Sequence, residues 1–351
     1  MLELLGEGNA AAAVGLLTGI MLGLAARLGR FCTLGAIEDF YYGKNDLRLR
    51  MWGVAIGVAV TGSFGLMALG LLSAPQTMYL GFTFTPVAAI LGGLIFGYGM
   101  ALAGNCGYGA LARLGGGDLR NFVIVVVMGI AAYATISGPV AYLRVWLFSQ
   151  TPNTGPTPGI AHSLSSLTGL PAPAWGILIG LAILLATLLP ARVRASKSTL
   201  FWGFVVGASV VLAWAGTQWI ATTGFDGIPV ESHTFATPIG DAIFWSMTAS
   251  GQTLSFGVGS VAGVWGGAFI GSLIKGHFRW EACEDPRELR RQIIGAGIMG
   301  VGAVIALGCS IGQGLSAMSV LAWSAPLTLA GIMGGAAIGL HQLIAGWAPA
   351  E

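Results

Sequence analysis

Nine stretches of roughly 20 mostly apolar residues recur along the chain, at roughly 10–29, 51–73, 86–105, 121–147, 173–191, 200–221, 251–274, 292–308 and 324–346, each long enough to cross bilayer hydrocarbon. A spanning segment must satisfy its own backbone hydrogen bonds, so these stretches are expected to be helices. Charged residues make up only 9% of the chain, against about a quarter in soluble domains, and mean hydropathy is +0.80. The expected fold class is therefore all-α and integral to the membrane, with one transporter-like domain over residues 1–351.

Charge placement orients the spans, because cytoplasmic loops collect Lys and Arg. With the N-terminus outside, Arg27, Arg30, Lys44, Arg48 and Arg50 follow span one, Arg113 and Arg120 follow span three, and Arg192, Arg194 and Lys197 follow span five. Lys275, Arg279, Arg287, Arg290 and Arg291 follow span seven, and only Arg144 falls outside. The net charge of +2 thus reports orientation toward lipid and gives no sign of nucleic-acid binding. Residues 1–10 lack the basic start of a signal peptide, so span one is expected to be retained. Glu3 and Glu7 suit an outer face, the Pro/Ser/Thr-rich stretch 148–172 reads as an outer loop, and the C-terminus falls in the cytoplasm.

Cys106 and Cys309 sit 203 residues apart in two copies of one pattern, and the same offset superimposes Gly92 on Gly295, Gly97 on Gly300, Gly99 on Gly302 and Gly109 on Gly312. An offset of 74 places Cys32 on Cys106 and Gly35 on Gly109. A first unit at about 10–147, a linking span at about 173–191 and a second unit at about 200–346 would form an inverted pseudo-twofold repeat, a common transporter plan with the substrate site between the halves. After each Cys-x-x-Gly comes a stretch too short to cross, at 33–42, 106–114 and 310–319. These read as re-entrant half-helices pointing toward the centre, with ordinary surface loops as the alternative.

A cysteine opening a half-helix lies at the positive end of the helix dipole, which suits an anion. A neutral S–H is the more useful form there, because a thiolate would repel the anion. Buried cysteine is most often a small hydrophobe, yet threefold repetition with one glycine offset favours a shared role for Cys32, Cys106 and Cys309. Metal ligation is not indicated, since no Cys-x-x-Cys pair exists and His162, His233, His277 and His341 are scattered. No P-loop is present either, and no cofactor is implied. Cys283, near Glu281, Glu284 and Asp285, has no repeat partner.

Other residues carry two readings each. Glu38 and Asp39 fit either solvated helix-end charges paired with Arg30 and Lys44 or an inner salt-bridged gate. Arg113 and Arg120 serve topology or draw an exiting anion. Ser310 and Gln313 hydrogen-bond an oxyanion or pack against neighbouring helices. Tyr142, Trp146, Trp323 and Trp347 fall near span ends, where interfacial aromatics belong.

The stretches Gly29–Cys32 followed by Asp39, Gly104–Gly109, and Gly308–Leu315 resemble the YeeE/YedE family of sulfur-transport membrane proteins. The resemblance implies nine spans with re-entrant helices in a bacterial inner membrane, and uptake of thiosulfate through a constricted pore. It assigns Cys309 as outer receiver, Cys106 as central relay and Cys32 as inner relay, with Gly312, Gly109, Gln313 and Ser310 beside them. It also implies a cytoplasmic sulfur-carrier protein as a partner of some members. Glu38 departs from the family pattern, which often has Arg there. On this reading the protein is a permease and not an enzyme. The rivals are a membrane thiol or persulfide transferase, a transporter of selenium or another sulfur compound, and a structural membrane subunit.

Overall fold

The computed structural model describes residues 6–283 and 285–345, so Glu3, Glu284 and Trp347 lie outside the described residues. The chain runs through α1 (Glu7–Leu28), α2 (Thr33–Tyr41), α3 (Leu47–Ala68), α4 (Pro86–Ala103), α5 (Gly107–Leu114), α6 (Arg120–Ile136), α7 (Pro139–Leu147) and α8 (Ile160–Thr168). It continues through α9 (Ala172–Leu188), α10 (Ala191–Ala195), α11 (Lys197–Thr223), α12 (Ala236–Thr248), α13 (Phe256–Ile274) and α14 (Pro286–Ile305). The last two are α15, residues 310–319 around a π-helical turn at Gly312–Ala317, and α16 (Ser324–Ala345). Among the described residues the only β pairing is in isolated bridges such as Thr77 with Val230.

Six helical segments are long and apolar enough to cross a membrane, and a seventh if α6 and α7 form one span. This is a multi-pass membrane protein. The fourth expected span, 121–147, is bent: α6 and α7 meet at 59°, where Gly138 precedes Pro139, a residue that cannot donate its N–H to a continuing helix. The segment expected at 173–191 is the 17-residue apolar helix α9. The one expected at 292–308 belongs to α14, whose first turns carry Arg287, Glu288, Arg290 and Arg291. The outer stretch 148–172 holds the short helix α8.

Glycine lets the long helices touch backbone to backbone, as small residues do in membrane interfaces. On α1, a Cβ at Gly19 would lie 2.6 Å from the Ser260 carbonyl oxygen and 3.1 Å from the Gly263 Cα of α13. Between α4 and α16, a Cβ at Gly93 would lie 2.6 Å from the Thr328 carbonyl oxygen. Between α4 and α14, one at Gly99 would lie 2.6 Å from the Met299 nitrogen.

The 203-residue offset matches more than the cysteines. It lays α2 on α12 from their first residues, Thr33 on Ala236, and lays α3 on α13, α4 on α14, α5 on α15 and α6 on α16. Packing follows the same rule: α1 packs on α13 as α11 packs on α3, and α4 packs on α16 as α14 packs on α6. Helices α4 and α14 pack on each other, as do α1 and α11. The short helix α12 was not expected from the sequence. It occupies the place of α2, with Phe235 where α2 has Cys32 as its N-cap.

Candidate functional site

Each thiol is built into its break in the same way. Two residues before it the backbone turns left-handed, at Arg30 (φ 57°), Gly104 (φ 78°) and Leu307 (φ 56°). That conformation is costly for Arg30 and Leu307, which have a Cβ, and its repetition marks an imposed geometry. The cysteine then caps the short helix. Cys32 Sγ accepts the Gly35 N–H at 3.5 Å, Cys106 Sγ accepts that of Gly109 at 3.4 Å, and Cys309 Sγ accepts that of Gly312 at 3.4 Å. Serine or aspartate would cap better, and sulfur is a weak acceptor, so capping strength does not account for cysteine. What the thiol keeps is its own S–H, free to donate at the positive end of the helix.

The three thiols share one interior. Cys106 is 1% exposed and lies within electrostatic range of both Cys32 and Cys309, with the Ser310 hydroxyl beside it. Cys309, also 1% exposed, accepts the Phe235 N–H at 3.3 Å and stands 3.7 Å from Thr234 Oγ1. Cys32 is half-buried. Aromatic rings wall the space between them: Phe31 stacks on Trp52 with centroids 4.8 Å apart, and Tyr108 packs against Phe31 at 6.4 Å and Phe235 at 5.5 Å. Tyr108 is fixed by donating its hydroxyl to the Leu22 carbonyl at 2.7 Å. Cys283 stands apart in a loop and donates to the Asp285 carbonyl at 3.2 Å.

Non-helical backbone this deep must find partners. Residues 229–235 do so through Thr217, whose hydroxyl donates to the Glu231 carbonyl at 2.8 Å, and through Ser316, whose hydroxyl donates to the His233 carbonyl at 2.6 Å. Gln313 serves the break in α14. Its amide donates to the Ala306 carbonyl at 2.6 Å and accepts from the Ser324 hydroxyl at 3.2 Å, so both ends of the amide already have a protein partner. Ser310, by contrast, is fully buried, and the Cys106 thiol is the polar group beside its hydroxyl.

Cavities approach from two sides and share no lining residue. One, of about 350 Å³, reaches Cys32 and Gly109 and is lined by Arg27, Arg30, Arg48, Arg113, Lys275 and His277, with Glu38 as its carboxylate. Asp39 pairs with Arg48 at 3.2 Å, in place of the expected Arg30 and Lys44. Arg120 is held by Asp118 at 3.0 Å, leaving Arg113 as the member of that pair that faces the cavity. Burial, with Arg30 and Arg27 nearby, lowers the pKa of Lys275. The other cavity, of about 270 Å³, ends on Thr234 and Gly308, the neighbours of Cys309, and holds Arg144, Glu231 and Asp241. Burial and the charge of Asp241 push the Glu231 carboxyl up to about 7. Among the described residues no cluster of His, Cys, Asp and Glu fits a metal ion.

A family model described as sulphur transport matches residues 27–338, which takes in all three capped breaks. The chain belongs to the sulphur transport family. Within it, the chain is 29% identical over 328 residues to the thiosulfate transporter TsuA of Escherichia coli K12, covering 88% of each protein. It is 26% identical over 319 residues to the thiosulfate transporter TsuA of Spirochaeta thermophila, covering 88% of this chain and 92% of that one. This sulphur transport family member thus aligns with both relatives along nearly its whole length. Tyr79 and Thr234 were not legible beside the cysteines in the sequence, because no motif or repeat offset ties them there, whereas Tyr108 lies in the Gly104–Gly109 stretch and Phe235 takes the position of Cys32 in the 203-residue offset.

Proposed function

We propose that this chain is a bacterial inner-membrane permease that takes up thiosulfate, handing the anion from Cys309 to Cys106 to Cys32 by S–H hydrogen bonds. The carrying observation is the set of three cysteine-capped breaks, with Cys106 close enough to feel the charge of both Cys32 and Cys309, one cavity reaching Cys32 and another reaching Thr234 and Gly308 beside Cys309. The named relatives supply the substrate. Ser310 donates beside Cys106, Gly109 and Gly312 hold the thiols through their N–H groups, and Gln313 braces the break.

Nine spans in two units of opposite orientation complete the reading, with α9 as the linking span, the N-terminus outside and the C-terminus in the cytoplasm. The matched packing of the units supports it, as does the cluster of cations in the Cys32 cavity, the side where positive-inside loops belong. No chemical conversion is required, and the basic cavity delivers the anion to the cytoplasm or to a sulfur-carrier protein there.

Uptake of labelled thiosulfate into vesicles holding the purified chain tests the reading. Cys309→Ala and Cys106→Ala are each expected to abolish uptake, and Cys283→Ala to leave it unchanged. Full uptake by either of the first two would overturn the relay. Partial uptake by the Ser variants, which keep a donor, favours hydrogen bonding, whereas persulfides found on the cysteines by mass mapping during turnover would favour the transferase rival.

A further inference from the structure

Tyr79 lies in the loop between α3 and α4, more than 200 residues from Cys309 in sequence. The loop is strapped to residues 229–235, with Met78 N–H donating to the Val230 carbonyl at 3.3 Å, so Tyr79 and Thr234 are carried inward together. The Tyr79 ring packs edge-on against Trp214 with centroids 6.5 Å apart, which fixes where its hydroxyl points. That hydroxyl is buried and meets no partner at full hydrogen-bond geometry; the polar groups around it are the Thr234 hydroxyl and the Cys309 thiol.

Gly312 shows where it points. A Cβ built on that glycine would meet Tyr79 Oη at 2.8 Å and Thr234 Oγ1 at 2.6 Å. Two hydroxyls therefore aim at one spot, over the residue whose N–H bonds Cys309 Sγ. Thr234 Oγ1 is itself 3.7 Å from that sulfur. A Cβ at position 312 would clash with both hydroxyls, which gives the C-x-x-G glycine a second reason here beyond its turn.

An unpaired hydroxyl in a protein interior is costly, and replacing it with an apolar group of the same shape is neutral or stabilising. The cost is recovered only if a ligand supplies the acceptor. The geometry points to Tyr79 and Thr234 as the oxygen-recognising half of the Cys309 station, a binding subsite for a tetrahedral sulfur oxyanion whose terminal sulfur faces the thiol. This rests on the permease reading and deepens it. A thiol is a weak donor suited to a large, soft sulfur, and hydroxyls are strong donors suited to oxygen. An anion carrying both ends is matched by the mixed set, whereas sulfate would set an oxygen against the thiol. Both donors are neutral, so the station can release a dianion that a buried arginine would retain.

Two isosteric variants, Tyr79→Phe and Thr234→Val, test this in the vesicle assay with the full chain. Tyr79→Phe is expected to raise the thiosulfate concentration for half-maximal uptake about tenfold to hundredfold, the range for one hydrogen bond to a charged group. Sulfate should also compete relatively better in this variant. Without anion its melting midpoint should equal or exceed wild type, because only an unpaired hydroxyl is lost, and the midpoint rise on adding thiosulfate should shrink. A wild-type half-maximal concentration in Tyr79→Phe overturns the subsite while leaving the permease standing. A lowered anion-free midpoint also overturns it, by making the hydroxyl structural. No uptake by the wild-type chain overturns the permease reading and the subsite with it.

Discussion

The two ends of the thiol line differ in how they would treat an anion. Around Cys309 everything is tightly buried and the nearest donors are neutral: two backbone N–H groups and the Thr234 hydroxyl. The cavity leading to it carries Glu231 and Asp241 beside a single arginine, Arg144, which is itself turned to the Thr135 carbonyl and Gln150. Around Cys32 the thiol is half-exposed and its cavity is crowded with cations. On the proposed reading one end would select by shape and donor type, and the other would attract by charge over a longer range. A matched scaffold has thus been given two mouths of opposite character, and on the proposed permease reading recognition would fall to Cys309 and release to Cys32.

The comparison breaks most readily at the thiols. Cys309→Ala should cut uptake by about a hundredfold or more, because the buried station loses its only soft donor. Cys32→Ala should cost about tenfold, since the cations around it still hold the anion. Equal losses in labelled-thiosulfate uptake would erase the distinction. A smaller effect is expected from the double variant Arg27→Gln with Arg113→Gln, a several-fold lower uptake rate. The wild-type rate should also fall as salt inside the vesicles rises, as the Debye length shrinks to about 8 Å at physiological ionic strength. A rate indifferent to both changes would remove charge from the Cys32 end.

The smallest effect is one of pH. Glu231 is held neutral by burial and by Asp241 up to about pH 7, so raising the pH from 6 to 8 on the side of its cavity adds a negative charge there. The half-maximal thiosulfate concentration should rise about two- to threefold over that interval, the scale of one screened like charge. Glu231→Gln should flatten the profile at its low-pH value, and a wild-type profile that falls with pH would reverse the sign and sink the account.

The membrane helices and the thiol breaks were legible in the sequence for different reasons. Apolar runs announce themselves by composition, and the breaks by Cys-x-x-Gly at constant offsets. The bend at Gly138 and Pro139 carried its signal openly, as any X-Pro step inside an apolar run does. Helix α12 was hidden because Phe235 stands in the cysteine position and Pro238 and Asp241 interrupt the apolar pattern. Gln313 showed a polar side chain near Cys309, yet nothing local revealed that the last carbonyls of a broken helix would claim it. Tyr79 and Thr234 reach the site through loops whose position depends on the whole bundle. Local sequence carries the first-neighbour geometry of each thiol and is silent on what faces it across the path.

The backbone-to-backbone seams of α1 with α13 and α4 with α16 bear on how the protein moves. Helices that touch at glycine after glycine have no side-chain cushion between them, so sliding one past the other forces carbonyl oxygens into Cα atoms. Tilting one half of the bundle against the other would have to break both seams at once. Motions the size of a rotamer, a ring turning or a short helix lifting by a fraction of a turn, leave them intact. Turnover in such a frame belongs to the pace of side chains, and its temperature dependence should resemble that of a gated pore more than that of a rocking machine.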